Sequence, residues 1–488
     1  MKKMSWETGF VKLIELIFDN IIVLLSYLVA VFLIHMQGPE YFFSGDDLTL
    51  QLSITLGLIL FLTIVFSRMY SITMFYGGYI RNVLKIAMSL VFIALIATIF
   101  QLLYPFYKLS ILPTFLMVPI ALIFLMFFKG LFYIFLKKVN VKYALLCGPK
   151  GEVEAMAKKL LFDNTKFTFL KYIVYDTFDL EQIEVLQKYI DDVDTVYIAE
   201  KLSSKMKNTI ISYCFKIKKP FYLVPRLYEL ALNKSVVSQV GDTLVFGVRG
   251  LGLTIEQRFF KRTFDLIFSI ILSILLLPFM LIIGLIIKIS DRGPIFFKQK
   301  RMTRNNRVFI LYKFRSMIPD AEKETGAIQA EKNDKRVTRV GKFLRATRLD
   351  ELPQLINVII GDMSLVGPRA LRVEEMEEFA NKDSEFMYRL NVKAGVTGYA
   401  QIMGKYYTHF KDKLHFDIFY IVNYSFFNDV VIIFQTLRMI FDPTSSEGVS
   451  GKKTLPECLN ERGFSYILTL DNSVYGVIKN KSNMEKNK

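Results

Sequence analysis

The sequence predicts a multidomain membrane protein, in which an α-helical transmembrane bundle is followed by a Rossmann-like α/β domain and then by an α+β domain with a re-entrant membrane helix. Three observations lead to this prediction. The 488-residue chain is 52% hydrophobic, with a mean hydropathy of +0.35. Its formal charge is nevertheless +17, with many cations beside long apolar runs. After the first four of those runs, short β-rich segments alternate with helical patterns, as in parallel α/β domains.

Composition also argues against several classes of protein. The lysines and arginines lie beside apolar runs or among acids rather than in a separate basic tail, so we expect no nucleic-acid partner. Cys147, Cys214 and Cys458 are far apart and lack CxxC spacing, which disfavours a disulfide framework or a structural zinc site. Three histidines in the whole chain are too few for a His-rich metal centre and give little support to a Ser-His hydrolase.

The predicted bundle consists of four apolar stretches, Leu13–His35, Leu50–Phe66, Val83–Leu103 and Leu109–Leu136. Each can cross a bilayer, which takes about 20 helical residues, although the second needs flanking residues to do so. Cations lie before the first stretch, between the second and third, and after the fourth, whereas the first outer loop is acidic. By the positive-inside rule both ends of the bundle face the cytoplasm. Lys129, inside the fourth stretch, is expected to extend towards the cytoplasmic interface.

An α/β domain is predicted next. The expected strands are Tyr143–Cys147, Leu170–Tyr175, Thr195–Ala199 and Phe221–Val224, and they alternate with helical patterns at Glu152–Leu161 and Leu180–Ile190. The first strand leads into residues 148–151 (GPKG), but the GxGxxG pattern is incomplete and Pro149 lacks an N–H donor for phosphate. We therefore favour a scaffold or regulatory role for this domain over nucleotide binding.

The fifth apolar stretch, Thr263–Ile287, has basic residues at both ends and Pro278 at its centre. A spanning helix is expected to have one cationic end, whereas a helix that breaks at Pro278 and returns keeps both ends in the cytoplasm. Polar, charged sequence lies on either side of the stretch, which favours the re-entrant path. A proline-kinked spanning helix is the alternative.

Cations and acids that suit phosphate chemistry follow. Lys313 and Arg315 are two residues apart at the end of a predicted strand, and residues 335–348 (KRVTRVGKFLRATR) contain six basic residues and no acid. Arginine binds phosphate through two hydrogen bonds, although a basic stretch can also rest on anionic lipid head groups. Asp350 and Glu351 precede Pro353 and an apolar run, as at the start of a helix. Two acids beside these cations could hold Mg²⁺ and supply an ionised nucleophile.

At these residues the chain resembles a known family. Its motifs are KFRSM at 313–317, RVTRVGKFLRATRLDELPQLINVIIGDMSLVGPR at 336–369 and VKAGVTGYAQIMGK at 392–405. They are similar to those of the bacterial sugar transferases, the polyprenyl-phosphate phosphoglycosyl transferases, over about Phe260 to Phe441. The four apolar stretches and the α/β domain ahead of them resemble the long form of that family. Departures include Leu277, where the family often has serine before the proline, and Arg348, where serine is common.

The resemblance implies a reaction in two steps. Asp350 attacks the sugar-bearing phosphate of a UDP-sugar and releases UMP, and undecaprenyl phosphate then accepts the phosphosugar. Glu351 helps to bind Mg²⁺. Asp350 and Glu351 are both expected to be metal ligands. Four basic positions also match the family and are assigned to phosphate or nucleotide contacts, namely Lys313, Arg315, Arg345 and Arg369.

The resulting organisation is a bundle at 1–140, the α/β domain at 141–257, a catalytic domain at 258–445 with its re-entrant helix at about 263–287, and a polar tail at 446–488. Membrane lipid and the two substrates are the expected partners, with downstream glycosyltransferases, and a homodimer is left open. The resemblance places the catalytic domain on the cytoplasmic face of the bacterial inner membrane, in synthesis of an exopolysaccharide, capsule or O-antigen.

Two other functions are weighed against this one. A scaffold for polysaccharide assembly with a lapsed catalytic domain would show no turnover, but the intact motifs argue against it. A nucleotide-dependent sugar dehydratase or epimerase would need a complete glycine-rich loop and a Tyr-x-x-x-Lys pair in the α/β domain, and neither is evident. The sequence does not indicate which sugar is transferred.

Overall fold

A computed structural model describes residues 9–35, 48–67, 79–103, 111–139, 142–162, 168–176, 183–248, 250–291, 293–318, 334, 336–404, 408–440, 454–461, 464–468 and 474–479. The chain divides into two compact units. The first combines Met1–Val224 with Val449–Lys488, and the second is Pro225–Gly448.

The first unit begins with four helices, α1 (Gly9–His35), α2 (Leu48–Ser67), α3 (Tyr79–Leu103) and α4 (Leu112–Val139). Helices α1, α3 and α4 are long and apolar enough to cross a membrane, whereas the apolar part of α2 is shorter. Helix α1 packs against α2 and α4, and α3 packs against α2 and α4. Because many large apolar side chains remain exposed on these helices, their outer surface suits lipid rather than water. The predicted helical bundle is confirmed.

A buried cluster of charges joins α1 to α4. The Lys129 Nζ lies 2.7 Å from Glu15 Oε1 and 2.9 Å from Asp19 Oδ2. The lysine is only 3% exposed, so the expectation that it extends to the interface is wrong. The physical reason is that charges inside a membrane pair with one another when a partner is within reach. Its partners are 110 and 114 residues away in sequence, which no local pattern reveals.

The predicted α/β alternation is confirmed. Its elements are β1 (Lys142–Gly148), α5 (Lys150–Phe162), β2 (Thr168–Tyr175), α6 (Ile183–Asp191), β3 (Thr195–Ile198), α7 (Ser204–Lys216) and β4 (Phe221–Leu223). These four strands are parallel, in the order β2-β1-β3-β4. Leu145 and Cys147 of β1 face one apolar core, and Ala144 and Leu146 face another. Because both faces are covered, β1 has a continuous apolar run rather than an alternating one.

The glycine loop after β1 is closed by the protein itself. Gly148 has φ +152°, and a Cβ on it would lie 2.3 Å from the Ala199 Cβ at the end of β3. This close approach of the two strand ends explains the glycine. Glu152, in the first turn of α5, accepts a hydrogen bond of 3.1 Å from the backbone N–H of Lys201. A carboxylate therefore lies beside the loop.

The second unit begins with α8 (Leu227–Leu232) and an antiparallel hairpin, β5 (Val236–Val240) and β6 (Thr243–Gly247). There follow α9 (Ile255–Asp291), β7 (Phe296–Thr303), β8 (Arg307–Phe314), α10 (Arg339–Thr347), α11 (Gln354–Ile360), β9 (Ser364–Val366), α12 (Val373–Lys382), β10 (Gly395–Thr397), α13 (Tyr399–Met403), α14 (Phe410–Val422) and α15 (Phe426–Ile440). Strands β7 and β8 form a hairpin, and β9 pairs in parallel with β10. Helices α11 to α15 and these strands share one apolar core, which includes Val358, Phe386 and Ile418.

Helix α9 is the membrane helix of this unit. It contains an apolar span of 36 residues, Ile255–Ser290, whose side chains are mostly exposed. The helix continues through Pro278. The sequence predicted a break and a return at this proline, and that path remains a prediction.

Residues near both ends of α9 contact other elements of the second unit. Near its start, Arg262 donates hydrogen bonds to the carbonyl oxygens of Val358 and Ile359, at 2.6 and 2.8 Å. Near its end, Ile283 and Ile287 lie in a small apolar cluster with side chains from β8 and α10. The exposed middle of the helix is therefore the part that is available to contact lipid.

Three elements of the C-terminal region return to the first unit. They are α16 (Leu455–Glu461), β11 (Phe464–Leu468) and β12 (Val474–Lys479). Strand β12 pairs antiparallel with β2, so the sheet order is β11-β12-β2-β1-β3-β4. This division differs from the boundaries 141–257 and 446–488 expected from sequence. Residues 225–257 belong to the second unit, and the tail contributes two strands, because strand pairing joins segments that are distant in sequence.

Candidate active site

The two predicted acids lie on a short 3₁₀ turn, Leu349–Glu351, between α10 and α11. Arg348 precedes this turn in the left-handed conformation, with φ +56°. A non-glycine residue in this region is uncommon and carries a conformational cost, which is often found at functional sites. Pro353 follows as the N-cap residue of α11. The helix therefore begins about one turn later than predicted. The acids lie before it, on a 3₁₀ turn that contacts β8.

Glu351 is held by two cations. Its Oε1 lies 2.9 Å from Lys313 Nζ and 3.7 Å from a terminal nitrogen of Arg369. Burial would raise the pKa of Glu351, but Lys313 and Arg369 together lower that pKa well below its ordinary range. Glu351 is therefore ionised at neutral pH.

Asp350 is more deeply buried, at 9% exposure. Burial raises the pKa of Asp350 above its ordinary range, Lys313 opposes that shift, and the neighbouring Glu351 charge adds to it. Arg345 and Arg369 act in the same direction as Lys313. Lys313 thus lowers the pKa of both acids, but the net shift is upward for Asp350 and downward for Glu351.

Asn357 fixes the strand that carries Lys313 against the helix that follows the acids. Its side-chain amide donates to the Ile310 carbonyl oxygen at 2.7 Å, and its Oδ1 accepts from the Tyr312 backbone N–H at 3.0 Å. The residue is fully buried in a helix whose other residues after Gln354 are apolar. These paired bonds replace β-ladder bonds at the edge of β8 and set the distance between Lys313 and the acidic turn.

Three of the predicted residues line one small, open cavity. Its lining consists of Arg301, Leu311, Lys313, Glu351, Gln354, Arg369, Ala370, Gly395, Val396 and Gln401. Three cations and one carboxylate give it a positive balance, which suits an anionic group such as a phosphate. The narrow wall at Gly395 depends on glycine, because a Cβ there would lie 2.1 Å from the Gly367 backbone nitrogen.

The other predicted residues lie outside this lining. Asp350 is next to Glu351 but is not among the residues that line the cavity. Arg315 is buried, with its guanidinium against Gly293 rather than beside Lys313. Arg345 is exposed on the last turn of α10 and reaches the acids through its charge. Pro278 lies within the membrane helix. Lys335, the first residue of the basic stretch, is outside the described residues.

Sequence reasoning missed several residues that build the site. Arg301 donates to the carbonyl oxygen of Ala370 at 3.0 Å and lines the cavity. Gln401 lines it too, from the start of α13. Asn357 and Gln401 are polar residues within apolar or aromatic runs, and that is the signal that could have identified them. No comparable local signal exists for Arg301, which is one of three cations in β7.

The described residues contain no group of three or more His, Cys, Asp or Glu side chains suited to holding a metal. Mg²⁺ does not need one, because proteins usually bind it through one or two carboxylates together with substrate phosphates. Glu351, which lines the cavity, and the adjacent Asp350 are the acids that fit such a set.

The fold and the site together define a membrane protein whose second unit joins an apolar helix to a cationic, carboxylate-bearing cavity suited to phosphate groups. The sequence model of the bacterial sugar transferase family matches residues 256–443, which is most of this unit. An exopolysaccharide production protein, ExoY, of Rhizobium meliloti is 38% identical over 194 residues, covering 37% of this chain and 84% of that protein. The chain belongs to the bacterial sugar transferase family.

Longer relatives also match this chain. A UDP-N-acetylgalactosamine-undecaprenyl-phosphate N-acetylgalactosaminephosphotransferase of Aeromonas hydrophila is 42% identical over 185 residues, or 37% of this chain and 44% of that protein. A UDP-glucose:undecaprenyl-phosphate glucose-1-phosphate transferase of Klebsiella pneumoniae is 34% identical over 252 residues, or 50% of this chain and 54% of that protein. The chain thus spans about half the length of these two relatives.

Proposed function

We propose that this protein transfers a sugar 1-phosphate from a UDP-sugar to undecaprenyl phosphate and releases UMP. The observation that carries the proposal is Glu351, which pairs with Lys313 and Arg369 in the lining of one cavity and has Asp350 next to it on the same turn. Relatives whose names specify this reaction support it. The product would enter exopolysaccharide, capsule or O-antigen synthesis as its first membrane-bound sugar.

The reaction has two displacements at one phosphorus atom. A carboxylate oxygen of Asp350 forms a bond to the sugar-bearing phosphorus, and the bond to UMP breaks, so that UMP leaves with the electron pair. An oxygen of undecaprenyl phosphate then attacks the same phosphorus, and the bond to Asp350 breaks. The carboxylate is regenerated, and the sugar is left on undecaprenyl diphosphate.

The cations supply most of the expected rate enhancement. Phosphoryl transfer depends on positioning and on neutralising charge at the equatorial oxygens. Lys313 and Arg369 line the cavity and are assigned to the transferred phosphate. Arg345 is assigned to the uridine-bearing phosphate or to head groups nearby, and Arg315 shapes the base of β8 from its buried position. Opening of the site to expose Asp350 is part of substrate binding.

Mg²⁺ is the proposed cofactor, held by Asp350 and Glu351. When bound it would offset the charge of the diphosphate, as metal ions do in other phosphoryl transfers. The Lys313–Glu351 contact keeps that acid ionised and so available as a ligand.

The membrane arrangement follows from the lipid substrate. A straight helix as long as α9 measures about 55 Å, whereas the hydrocarbon core is about 30 Å thick. Side chains near both ends of α9 contact other elements of the same unit, and the proposed re-entrant path requires that the helix, which is continuous through Pro278 in this structure, bend near that residue in the membrane. The cavity would then lie at the cytoplasmic face of the inner membrane, within reach of the lipid phosphate. A homodimer and contacts with downstream glycosyltransferases remain part of the proposal.

The sugar is left open, because relatives of similar identity carry names that specify N-acetylgalactosamine, glucose or galactose. The test is to incubate the protein in membranes with undecaprenyl phosphate, Mg²⁺ and a panel of UDP-sugars, and to measure UMP. One or more donors should yield UMP and a lipid-linked sugar. A folded protein that releases UMP from none of them would instead support the non-catalytic scaffold.

A further inference from the structure

The loop that carries Arg369 is held by a buried ion pair. Arg389 approaches Asp417 of α14 at 2.8 Å, and the two side chains are only 5% and 2% exposed. The same terminal nitrogen of Arg389 donates a hydrogen bond of 3.1 Å to the carbonyl oxygen of Arg369. One guanidinium therefore links α14 to the backbone of a residue that lines the cavity.

Further contacts make this arrangement rigid. The Arg389 guanidinium lies over the Phe386 ring, 4.9 Å from its centroid, which restricts the plane of the group. On the next residue of the loop, the carbonyl oxygen of Ala370 accepts from Arg301 at 3.0 Å. Two consecutive carbonyl oxygens are thus each bound by an arginine, so the backbone at this point has little freedom to rotate.

The side chain of Arg369 needs such support. It is 48% exposed, and it pairs with the Glu351 carboxylate at 3.7 Å. A long, half-exposed side chain has many rotamers, and their range is set by where the backbone directs the Cβ. Fixing the carbonyl oxygen fixes that direction towards the cavity.

We propose that the Arg389–Asp417 pair positions Arg369 for the phosphate groups of the donor, an inference that rests on the proposed function. Neither Arg389 nor Asp417 lines the cavity, so both act through Arg369. The simpler interpretation is that the pair only stabilises the fold. These interpretations can be separated, because a buried ion pair can often be replaced by apolar side chains of similar volume without loss of stability.

The experiment is a cycle of variants. Arg369→Ala is introduced into the wild type and into an Arg389→Met/Asp417→Leu background, and kcat/KM for the UDP-sugar is measured together with the Kd for UDP by calorimetry. In the wild type we expect Arg369→Ala to lower kcat/KM about 100-fold and to weaken UDP binding. In the apolar background, Arg369→Ala should lower kcat/KM by less than about threefold. The reason is that Arg369 in this background is no longer held in a single orientation towards the phosphate.

A matched control is available in the same unit. Lys261 and Asp429 form an equally buried ion pair, 8% and 1% exposed, whose side chains do not bind the carbonyl oxygen of Arg369. In a Lys261→Met/Asp429→Leu background, Arg369→Ala should keep its full effect of about 100-fold. Arg389→Lys retains a donor and a charge and should restore part of the coupling. Thermal unfolding of every variant establishes that it folds.

If the apolar background does not fold, Asp417→Asn takes its place, since it keeps the volume and removes the charge that orients Arg389. An equal cost of Arg369→Ala in both backgrounds overturns the inference, whether or not UMP is released. Coupling seen in UDP binding without turnover supports the inference and contradicts the proposed reaction. Turnover without coupling leaves the reaction intact and rejects only the positioning role. If the folded protein shows no turnover and does not bind UDP, both the proposed reaction and the positioning role are rejected.

Discussion

The membrane bundle and the cavity each bring a lysine to carboxylates, but they differ in how far solvent reaches the charges. In the bundle, the side chains of Lys129, Glu15 and Asp19 are 4%, 8% and 4% exposed. In the cavity, Lys313 and Glu351 are 19% and 17% exposed, and Arg369 is 48% exposed.

The difference in exposure has a chemical consequence. The bundle cluster has two acids for one lysine and is buried among the described helices, so its charges pair with one another rather than with a ligand. At the cavity, cations outnumber acids, and the excess positive charge has a route to a ligand. The same residue types therefore indicate a structural role where they are sealed and a binding role where they are open. The following predictions test this contrast, beginning with the largest effect.

Asp350→Asn should lower the rate of UMP release by about 10⁴-fold or more, because an amide cannot act as the attacking group. Activity of the purified variant is compared with that of Asp362→Asn, which removes a carboxylate that pairs with Arg307 outside the cavity. The control should retain most of its activity. Comparable rates for the two variants would remove Asp350 from the mechanism.

Lys129→Met should destabilise the bundle by about 3–5 kcal/mol, because it leaves two carboxylates buried without their cation. Unfolding in detergent measures this effect. Among molecules that remain folded, UMP release should change by less than about twofold. A loss of activity with unchanged stability would show that the sealed cluster takes part in function, contrary to the contrast drawn above.

Lys313→Met should reduce kcat/KM by about 10²–10³-fold, through loss of charge stabilisation at the transferred phosphate. It should also alter the pH profile. Lys313 lowers the pKa of both acids, so its removal raises the pKa of each. The acidic limb of activity, which requires an ionised Asp350, should therefore move to higher pH. A limb that stays in place or moves to lower pH would contradict the assignment.

Arg369→Lys should have the smallest effect, a loss of about tenfold in kcat/KM, because lysine keeps the charge but cannot form two parallel bonds to a phosphate. Steady-state kinetics against the UDP-sugar measure it. Lys382→Arg, on the exposed face of α12, is the control for a general effect of exchanging these residues. Full activity of Arg369→Lys would mean that only the charge matters.

Much of the fold could be predicted from local sequence. The strands β1 to β4 and the four bundle helices follow from apolar runs and their period, because both faces of the sheet are covered and the helices face lipid. The acidic pair, Lys313 and Arg369 were predicted from motifs, and the structure brings Glu351, Lys313 and Arg369 together.

What escaped prediction depends on contacts between distant segments. The partners of Lys129, the strand pairing of β12 with β2, and the Arg389–Asp417 pair each join residues that no periodic pattern relates. Arg315 illustrates a different limit. Lys313 and Arg315 were both assigned to phosphate or nucleotide contacts, but β8 ends at Phe314, and Arg315 instead lies against Gly293.

In the proposed mechanism, Asp350 carries the phosphosugar between the two steps. The most direct test is to mix the protein with Mg²⁺ and a UDP-sugar that is radiolabelled in the sugar-bearing phosphate, without undecaprenyl phosphate. The proposed mechanism predicts release of about one equivalent of UMP, a label bound to the Asp350 peptide, and loss of that label when undecaprenyl phosphate is added. A label on another residue, or UMP released only in the presence of lipid with no labelled protein, would contradict it.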